Sequence, residues 1–272
     1  LAGYDMVSET AEGNDGSARD PDASDPGDWV TSAEDSNPRG AFHDCGVGDS
    51  SWHGTMVSGI IGAASNNGIG MAGIASGVRI LPVRVLGKCG GFTDDIVAGM
   101  YWAAGKAVPG VPNNPNPARV LNLSLGGDGA CPKIYRDAVN ELTAPPYNAV
   151  IVVAAGNSAG LAVGNPANCA GVVAVAGLRH AGSKVGFSDL GPEITVAAPG
   201  GNCVNTAPGT PCLYPILASS NTGKKGPVAG GSTWTDSYNI SVGTSFSTPI
   251  VAGISALMLS ARPTLGAAEL ID

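Results

Sequence analysis

Gly243-Thr244-Ser245-Phe246-Ser247-Thr248-Pro249 leads directly into the apolar run Ile250-Val251-Ala252-Gly253-Ile254-Ser255-Ala256-Leu257-Met258-Leu259. The run has helical length, and its small residues permit close packing. We therefore predict a tight turn that feeds a buried helix. Pro249 is tolerated only in the first helical turn, where its missing N–H leaves nothing unpaired. The sequence accordingly places Ser245 at or just before the helix N-terminus.

A serine in this position has two interpretations. Unpaired backbone N–H groups and the positive end of the helix dipole collect at a helix N-terminus. An oxyanion formed at Ser245 would lie beside those donors, which suits acyl transfer. The simpler interpretation is that Ser245 is an N-cap. Taken alone, the stretch favours the cap, and the rest of the chain reverses that preference.

Composition limits the function classes. Of 272 residues, 43% are apolar and only 13% are charged, so we predict a single globular domain over residues 1–272. The net charge of −8 argues against nucleic-acid binding, and no apolar run reaches the length of a membrane span. The chain does not begin with Met and carries no signal peptide. We therefore expect a processed or excised piece of a longer product.

Cysteine usage points to an oxidising compartment. None of the six cysteines forms a CxxC pair, which disfavours a zinc cluster, and their even number and wide spread suggest disulfides. Six cysteines allow fifteen pairings. Only Cys203 and Cys212 close a short local loop and so suggest one pair directly.

The chain alternates short apolar runs with helical segments. We predict helices over 53–64, around 94–105 and around 133–142, and strands over 78–86, 119–125, 149–155, 172–176 and 194–198. Residues 1–50 are predicted to be a long loop, and residues 201–242 surface excursions. This order indicates a three-layer α/β fold with a mostly parallel central sheet. Active sites of such sheets lie at the carboxyl ends of the strands, where Ser124 and Asn157 fall.

Three further groups carry candidate chemistry. Asp15, Asp20 and Asp22 stand close together near Gly16 and offer hard oxygen ligands for calcium, although the spacing is not that of an EF-hand and such a run is often a solvated face. His53 opens a helix of small residues, whereas His43 and His180 have no special setting. A helix-opening histidine is commonly structural. Asn157 could hold the left-handed position of a Gly-Asn turn, or aim its amide at an oxyanion.

Four segments together resemble the subtilisin-like serine peptidases. They are a histidine motif, a substrate-binding strand, an oxyanion segment and a serine motif: His53-Gly54-Thr55, Asn122-Leu123-Ser124-Leu125-Gly126-Gly127, Ala154-Ala155-Gly156-Asn157 and Gly243–Pro249. The resemblance extends from Gly3 to Leu270 and is strongest to a secreted bacterial branch with three disulfides. It implies the pairs Cys45–Cys89, Cys131–Cys169 and Cys203–Cys212.

The resemblance also implies a role for each site residue. Ser245 would be the nucleophile and His53 the general base, while the Asn157 side chain and the Ser245 N–H would bind the oxyanion. The segment Ser124-Leu125-Gly126 would pair with an extended substrate. An open pocket for a large apolar side chain would be lined by Gly126, Ala154, Ala155 and Gly156. The loop 65–71 resembles a calcium loop of the family, which adds Asn67 as a metal candidate.

One expected motif is missing from the sequence. The family carries Asp-Ser/Thr-Gly at the end of an apolar strand ahead of the histidine, and no such segment precedes His53. In the family, a segment like Ala261-Arg262-Pro263-Thr264-Leu265 leads into one more helix, of which only the start remains here, so we expect a domain truncated at both ends.

The main hypothesis is a secreted, monomeric serine endopeptidase that acts on protein or peptide substrates, with a propeptide or inhibitor as a further occupant of its groove. The alternative is an inactive fragment that keeps a peptide-binding groove. An α/β-hydrolase esterase fits poorly, because its triad ends with histidine.

Overall fold

The computed structural model describes residues 1–202, 214–235 and 242–271. Its helices are α1 (Thr10–Gly13), α2 (Ser32–Asp35), α3 (His53–Gly62), α4 (Thr93–Ala103), α5 (Lys133–Thr143), α6 (Thr244–Ala261) and α7 (Ala267–Ile271). Its strands are β1 (Tyr4–Asp5), β2 (Val83–Arg84), β3 (Val120–Leu123), β4 (Val150–Ala154), β5 (Val173–Leu178), β6 (Ile194–Pro199), β7 (Ala218–Asn221) and β8 (Ser232–Thr235).

The chain forms two compact units, which are taken one at a time. The first consists of residues 1–56, 80–117 and 220–233, and the second of residues 57–79, 118–219 and 234–272.

The second unit contains a four-stranded parallel sheet in the order β3-β4-β5-β6. All five residues of β4 are buried, as expected for a strand covered on both faces. The run 149–155 can form a central strand because its residues are apolar on both faces of the strand. Leu123 pairs with Val153 and Ala154 with Val175, so β3 and β4 end at the same edge of the sheet.

Helix α6 packs against all four strands of this sheet. Its residues Val251 and Ala252 join Val150, Val152 and Val175 in one buried cluster. By length and composition α6 could also span a membrane, but half of it is buried inside the protein. Core helices of soluble proteins can have the same length and apolar composition, so this feature assigns no membrane role.

The first unit is built mainly from irregular chain. Strands β1 and β2 pair in parallel, with Tyr4 opposite Val83. Helix α4 packs against β2, and Met6 and Trp102 are buried in the cluster that fills this unit. Buried charges also hold it together: Asp5 forms an ion pair with Arg84, and Asp95 with Arg19 at 2.6 Å.

The sheet, the helices and their order confirm the predicted α/β fold, but some boundaries differ. The strand predicted over 78–86 is reduced to Val83–Arg84, since Pro82 has no N–H with which to extend a ladder. Residues 1–50 contain two short helices and a short strand rather than a single loop. The region 201–242, predicted as surface excursions, contains the paired strands β7 and β8.

Two disulfides lie in the described part of the chain. Cys45–Cys89 is in the first unit and Cys131–Cys169 in the second, with Cα atoms 5.5 and 5.1 Å apart. These are two of the three pairs that the resemblance implied. Cys203 and Cys212 lie outside the described residues.

Candidate functional site

Ser245 is the second residue of helix α6. Gly243 occupies the N-cap position with φ +152°, a conformation that favours glycine, and supplies no side-chain cap. The interpretation of Ser245 as the N-cap is therefore wrong. Ser245 instead lies in the first turn and is half-buried, where backbone N–H groups lack helical partners. This is the environment that the sequence predicted for a nucleophile.

Pro249 lies one turn further into α6 than predicted. As the sixth helical residue, it removes the N–H that would bond to the carbonyl oxygen of Ser245. The hydroxyl of Ser124 replaces that donor and reaches the Ser245 carbonyl at 2.7 Å. Asn122 Nδ2 in turn donates to Ser124 Oγ at 3.0 Å. The end of β3 is thereby tied to the turn that carries Ser245.

Asn157 is fixed by the residue that precedes Ser245. Its Oδ1 accepts from the Thr244 N–H at 2.9 Å and from Thr244 Oγ1 at 3.1 Å. A backbone N–H can only donate, so the facing atom of Asn157 must be its oxygen. Nδ2 consequently points away from Thr244, and it makes no hydrogen bond within the described part of the chain. An exposed amide held in this way can donate to an oxyanion.

The left-handed turn beside Asn157 belongs to its neighbour. Gly156 has φ +114°, whereas Asn157 is not among the residues with positive φ. The interpretation of Asn157 as the left-handed turn residue is therefore wrong. Gly156 also donates its N–H to Thr244 Oγ1 at 3.2 Å. Both residues of the Gly-Asn pair thus contact the buried Thr244.

The segment after β3 offers free backbone. Leu125 and Gly126 make no backbone hydrogen bonds within the described residues, and Gly126 is exposed. The next residue is already paired, because Gly127 and Asn165 exchange two bonds of 2.8 Å. Unpaired backbone at the end of a strand can accept an added strand.

The predicted pocket residues lie beside that segment. Ala154 and Ala155 are buried, with 6% and 1% of their surface exposed, and Ala155 donates its N–H to Val175. A Cβ at Gly126 would come within 3.1 Å of the Asn165 carbonyl oxygen and 3.9 Å of that of Ala154. Glycine at 126 therefore keeps the space next to Ala154 open.

His53 belongs to the first unit, at the start of α3. Partial burial lowers the pKa of its imidazole, and the negative charge of Asp28 raises it and so offsets part of that effect. Asp28 is held in place by Ser51, whose N–H and hydroxyl donate to it at 2.6 and 2.7 Å. A lowered pKa favours the neutral imidazole, which is the form a general base requires.

The structure thus brings Ser124, Asn157 and Ser245 together within the second unit, whereas His53 belongs to the first unit. Thr244 is a contributor that the sequence analysis missed, although it stands inside the serine motif. Its position next to Ser245 was a usable signal. The hydrogen bond from Ser124 to the Ser245 carbonyl had no local signal, because the two residues are far apart in sequence.

The proposed calcium ligands are engaged elsewhere. Asp15 accepts from the Ser17 N–H at 2.9 Å and from Arg84 at 3.1 Å. Asp20 accepts from the Asp22 N–H, and Asp22 from the Ser24 N–H.

Asn67, the fourth candidate ligand, caps its own loop by accepting from the Ile69 N–H at 3.0 Å. Among the described residues, no three His, Cys, Asp or Glu side chains converge as a metal site. The candidate side chains are therefore each held by hydrogen bonds within the protein.

Comparison with known proteins identifies the relatives of this chain. Residues 14–271 match the family model of the peptidase S8, or subtilase, family. The chain is 44% identical over 269 residues to an extracellular protease of Xanthomonas campestris pv. campestris, covering 97% of this chain. It is 39% identical over 269 residues to an extracellular basic protease of Dichelobacter nodosus, covering 98%.

Two solved structures of proteases also resemble this chain. A structure of proteases from Pseudoalteromonas arctica matches with a TM-score of 0.88 and 41% identity, covering 100% of this chain and 75% of that one. A cold-adapted subtilisin-like serine proteinase matches with a TM-score of 0.57 and 28% identity, covering 80% of this chain and 65% of that one. The present chain spans 41% and 40% of the length of the two bacterial relatives named above.

Proposed function

Because the chain belongs to the subtilase family, we propose that it is the peptidase domain of a secreted serine endopeptidase that acts through an acyl-enzyme on Ser245. The observation that carries this proposal is the anchoring of Asn157 on Thr244, the residue before Ser245. It fixes one amide donor next to the nucleophile's helical turn. Preorganised donors of this kind supply a large share of the rate in acyl transfer.

In the proposed reaction, Ser245 Oγ attacks the carbonyl carbon of the scissile peptide bond. His53 takes the hydroxyl proton, and the negative oxygen of the tetrahedral intermediate is bound by Asn157 Nδ2 and the Ser245 N–H. The C–N bond then breaks as His53 gives its proton to the leaving amine. Water attacks the resulting ester with His53 again as base, which releases the acid and restores Ser245. The role of His53 rests on its sequence motif and on the lowered pKa of its imidazole.

We propose that the substrate binds as an added strand along Ser124-Leu125-Gly126. The unpaired backbone of Leu125 and Gly126 supports this, since main-chain hydrogen bonds of an extended peptide need free partners. Small residues at 126 and 154–156 favour a large apolar side chain before the scissile bond. Substrates are then proteins or peptides, and a propeptide or inhibitor would occupy the same groove of a monomeric enzyme.

Secretion is proposed because the two relatives named above are extracellular and because disulfides are present. Calcium binding stays a prediction of the sequence alone. Calcium takes part in no step of the proposed reaction. Of its candidate ligands, Asp20 accepts a hydrogen bond from the Asp22 N–H, and Asp15 accepts one from Arg84.

The alternative is a peptide-binding relative without turnover. It would keep the peptide-binding groove along Ser124-Leu125-Gly126 and lack a working catalytic triad. Losing the aspartate of a catalytic triad costs about 10⁴-fold in kcat, because the imidazole loses its orientation and its charge partner.

Labelling of the purified protein with a fluorophosphonate distinguishes the two functions. We expect one label per molecule by intact mass, and none in a Ser245→Ala control. Hydrolysis of peptide anilides in the same preparation would separate a peptidase from an esterase that cleaves only short esters. A folded protein that takes no label would assign the chain to the non-catalytic alternative.

A further inference from the structure

Asp189 is a buried carboxylate on the segment that precedes β6, with only 3% of its surface exposed. It forms no ion pair within the described residues. Its Oδ1 instead accepts three backbone N–H groups, from Ser158 at 2.9 Å, Gly160 at 3.2 Å and Leu161 at 3.1 Å. These three N–H groups belong to one loop and would lack this acceptor without Asp189. The carboxylate therefore stabilises one conformation of that loop.

Backbone bonds reinforce the same attachment. The Asp189 N–H donates to the Gly156 carbonyl at 3.0 Å, and the Leu190 N–H donates to that of Leu161 at 3.0 Å. The Ala159 N–H donates to the Phe187 carbonyl at 3.0 Å. The loop 156–161 is therefore attached along its whole length to residues 187–190.

The carboxylate also packs directly against Gly156. A Cβ at this position would lie 2.3 Å from Asp189 Oδ2, so no other residue fits beside the carboxylate. Gly156 and Ser158 flank Asn157, and Asp189 contacts both flanking residues. Within the described residues Asn157 itself forms no hydrogen bond with Asp189, and its side chain is held by Thr244.

We propose that Asp189 is a positioning residue for the oxyanion donor Asn157. It holds the backbone on both sides of Asn157, while Thr244 holds the side-chain oxygen, and together they direct Nδ2 to one place. This inference rests on the proposed peptidase function, since it assigns Asp189 to the same reaction. It predicts an effect on kcat rather than on substrate binding, because the oxyanion exists only after attack.

The test compares Asp189→Ala and Asp189→Asn in the purified protein, with a chromogenic peptide anilide as substrate. We expect Asp189→Ala to lower kcat by about 10–10²-fold, the size of effect expected when a reacting group is displaced by about 1 Å. KM should change by less than about 3-fold, because binding precedes oxyanion formation. Asp189→Asn keeps one acceptor oxygen for the three N–H groups and should recover most of the lost kcat.

A double-mutant cycle with Asn157→Ala separates positioning from general damage. If Asp189 acts through Asn157, its replacement by Asn or Ala lowers kcat far less in the Asn157→Ala background. Glu193→Gln is the matched control, because it neutralises an exposed carboxylate four residues away and should leave kcat unchanged.

Two results would overturn the proposal. One is an Asp189→Ala variant with kcat within 2-fold of the wild type. The other is an equal loss of kcat in the two backgrounds, which would make Asp189 a structural residue only. If Asp189→Ala does not fold, Asp189→Ser, which places a shorter acceptor in the same site, replaces it in the cycle and is judged by the same two criteria. Failure of the proposed function looks different, because the wild type itself would neither take the fluorophosphonate label nor cleave the anilide.

Discussion

Ser124 donates its hydroxyl to the main-chain carbonyl of Ser245 at 2.7 Å, and Ser245 Oγ lies 3.4 Å from the carbonyl oxygen of Ser124. The first bond exists because Pro249 cannot satisfy the Ser245 carbonyl from within the helix. A side chain at the end of β3 therefore supplies the hydrogen-bond donor that the turn carrying Ser245 lacks.

Replacing Ser124 by Ala should lower the free energy of unfolding by about 1 kcal/mol, because the Ser245 carbonyl loses its donor. The same change should cost much less in a Pro249→Ala background, where the restored N–H of residue 249 can bond to that carbonyl. Urea unfolding of all four proteins measures the difference, with Ser245→Ala included throughout to prevent self-digestion. Equal costs of Ser124→Ala in both backgrounds would show that Pro249 is not the reason for the bond.

Asn157→Asp tests whether the side chain of Asn157 acts through its amide nitrogen. An aspartate still offers an oxygen to Thr244, so stability should change little. It replaces the donor by a negative oxygen, and losing one oxyanion donor costs about 10²–10³-fold in kcat. Steady-state kinetics with a peptide anilide would reveal this loss at nearly constant KM. A variant that retained more than a third of wild-type kcat would exclude Asn157 as an oxyanion donor.

Asp28→Asn should move the acidic limb of the pH profile of kcat/KM to lower pH. The negative charge of Asp28 raises the pKa of His53, so removing that charge lowers this pKa further below its ordinary value. A general base is active when neutral, and a lower pKa keeps it neutral at more acidic pH. Asparagine can still bond to Ser51, which limits structural disturbance.

The control for Asp28 is Asp49→Asn, which removes an exposed carboxylate of the same unit that pairs with Lys224 at 3.4 Å. Its acidic limb should coincide with that of the wild type. A shift of the limb to higher pH in Asp28→Asn would contradict the proposed electrostatic link between the two residues.

Much of the fold followed from local pattern. The run 149–155 is apolar at every position, and such a run has few alternatives to a central parallel strand. Three other strands were harder to predict from the sequence. Pro82 interrupts the strand at 83–84, and β7 and β8 lie in a Gly- and Ser-rich region that lacks the apolar pattern of a strand.

The residues of the candidate site also differ in how well the sequence predicts them. Ser245 and Asn157 stand in short motifs whose neighbours carry the information, and Gly156 has the positive φ that a tight turn beside Asn157 requires. Ser124 and Asp189 act on residues far along the chain, through one hydroxyl and one carboxylate. Nothing in the flanking sequence distinguishes such a side chain from an ordinary loop residue, since only tertiary packing makes it a partner.

Lys88 of the first unit shows how a buried charge stabilises a largely irregular region. It is 3% exposed, lies 5.0 Å from the ring centre of Trp29 and 4.8 Å from that of Phe42, and forms an ion pair with Glu34. The hydrogen bond from Lys88, with those from Thr31, lowers the pKa of Glu34 to about 2. The ionised carboxylate is therefore the form that the fold stabilises.

Glu34→Gln should accordingly destabilise the protein at neutral pH by about 1–3 kcal/mol, less than a fully buried pair because the Glu34 side chain is 31% exposed. A carboxyl whose pKa is lowered on folding contributes stability above its ordinary value near 4.5, and this is lost as the pH falls towards about 2. The gap in unfolding free energy between wild type and variant should therefore close between these pH values. Asp137→Asn, which breaks the exposed pair with Lys133, should cost less than about 0.5 kcal/mol. A gap for Glu34→Gln as large at pH 2.5 as at pH 6 would mean that the ion pair with Lys88 is not its source.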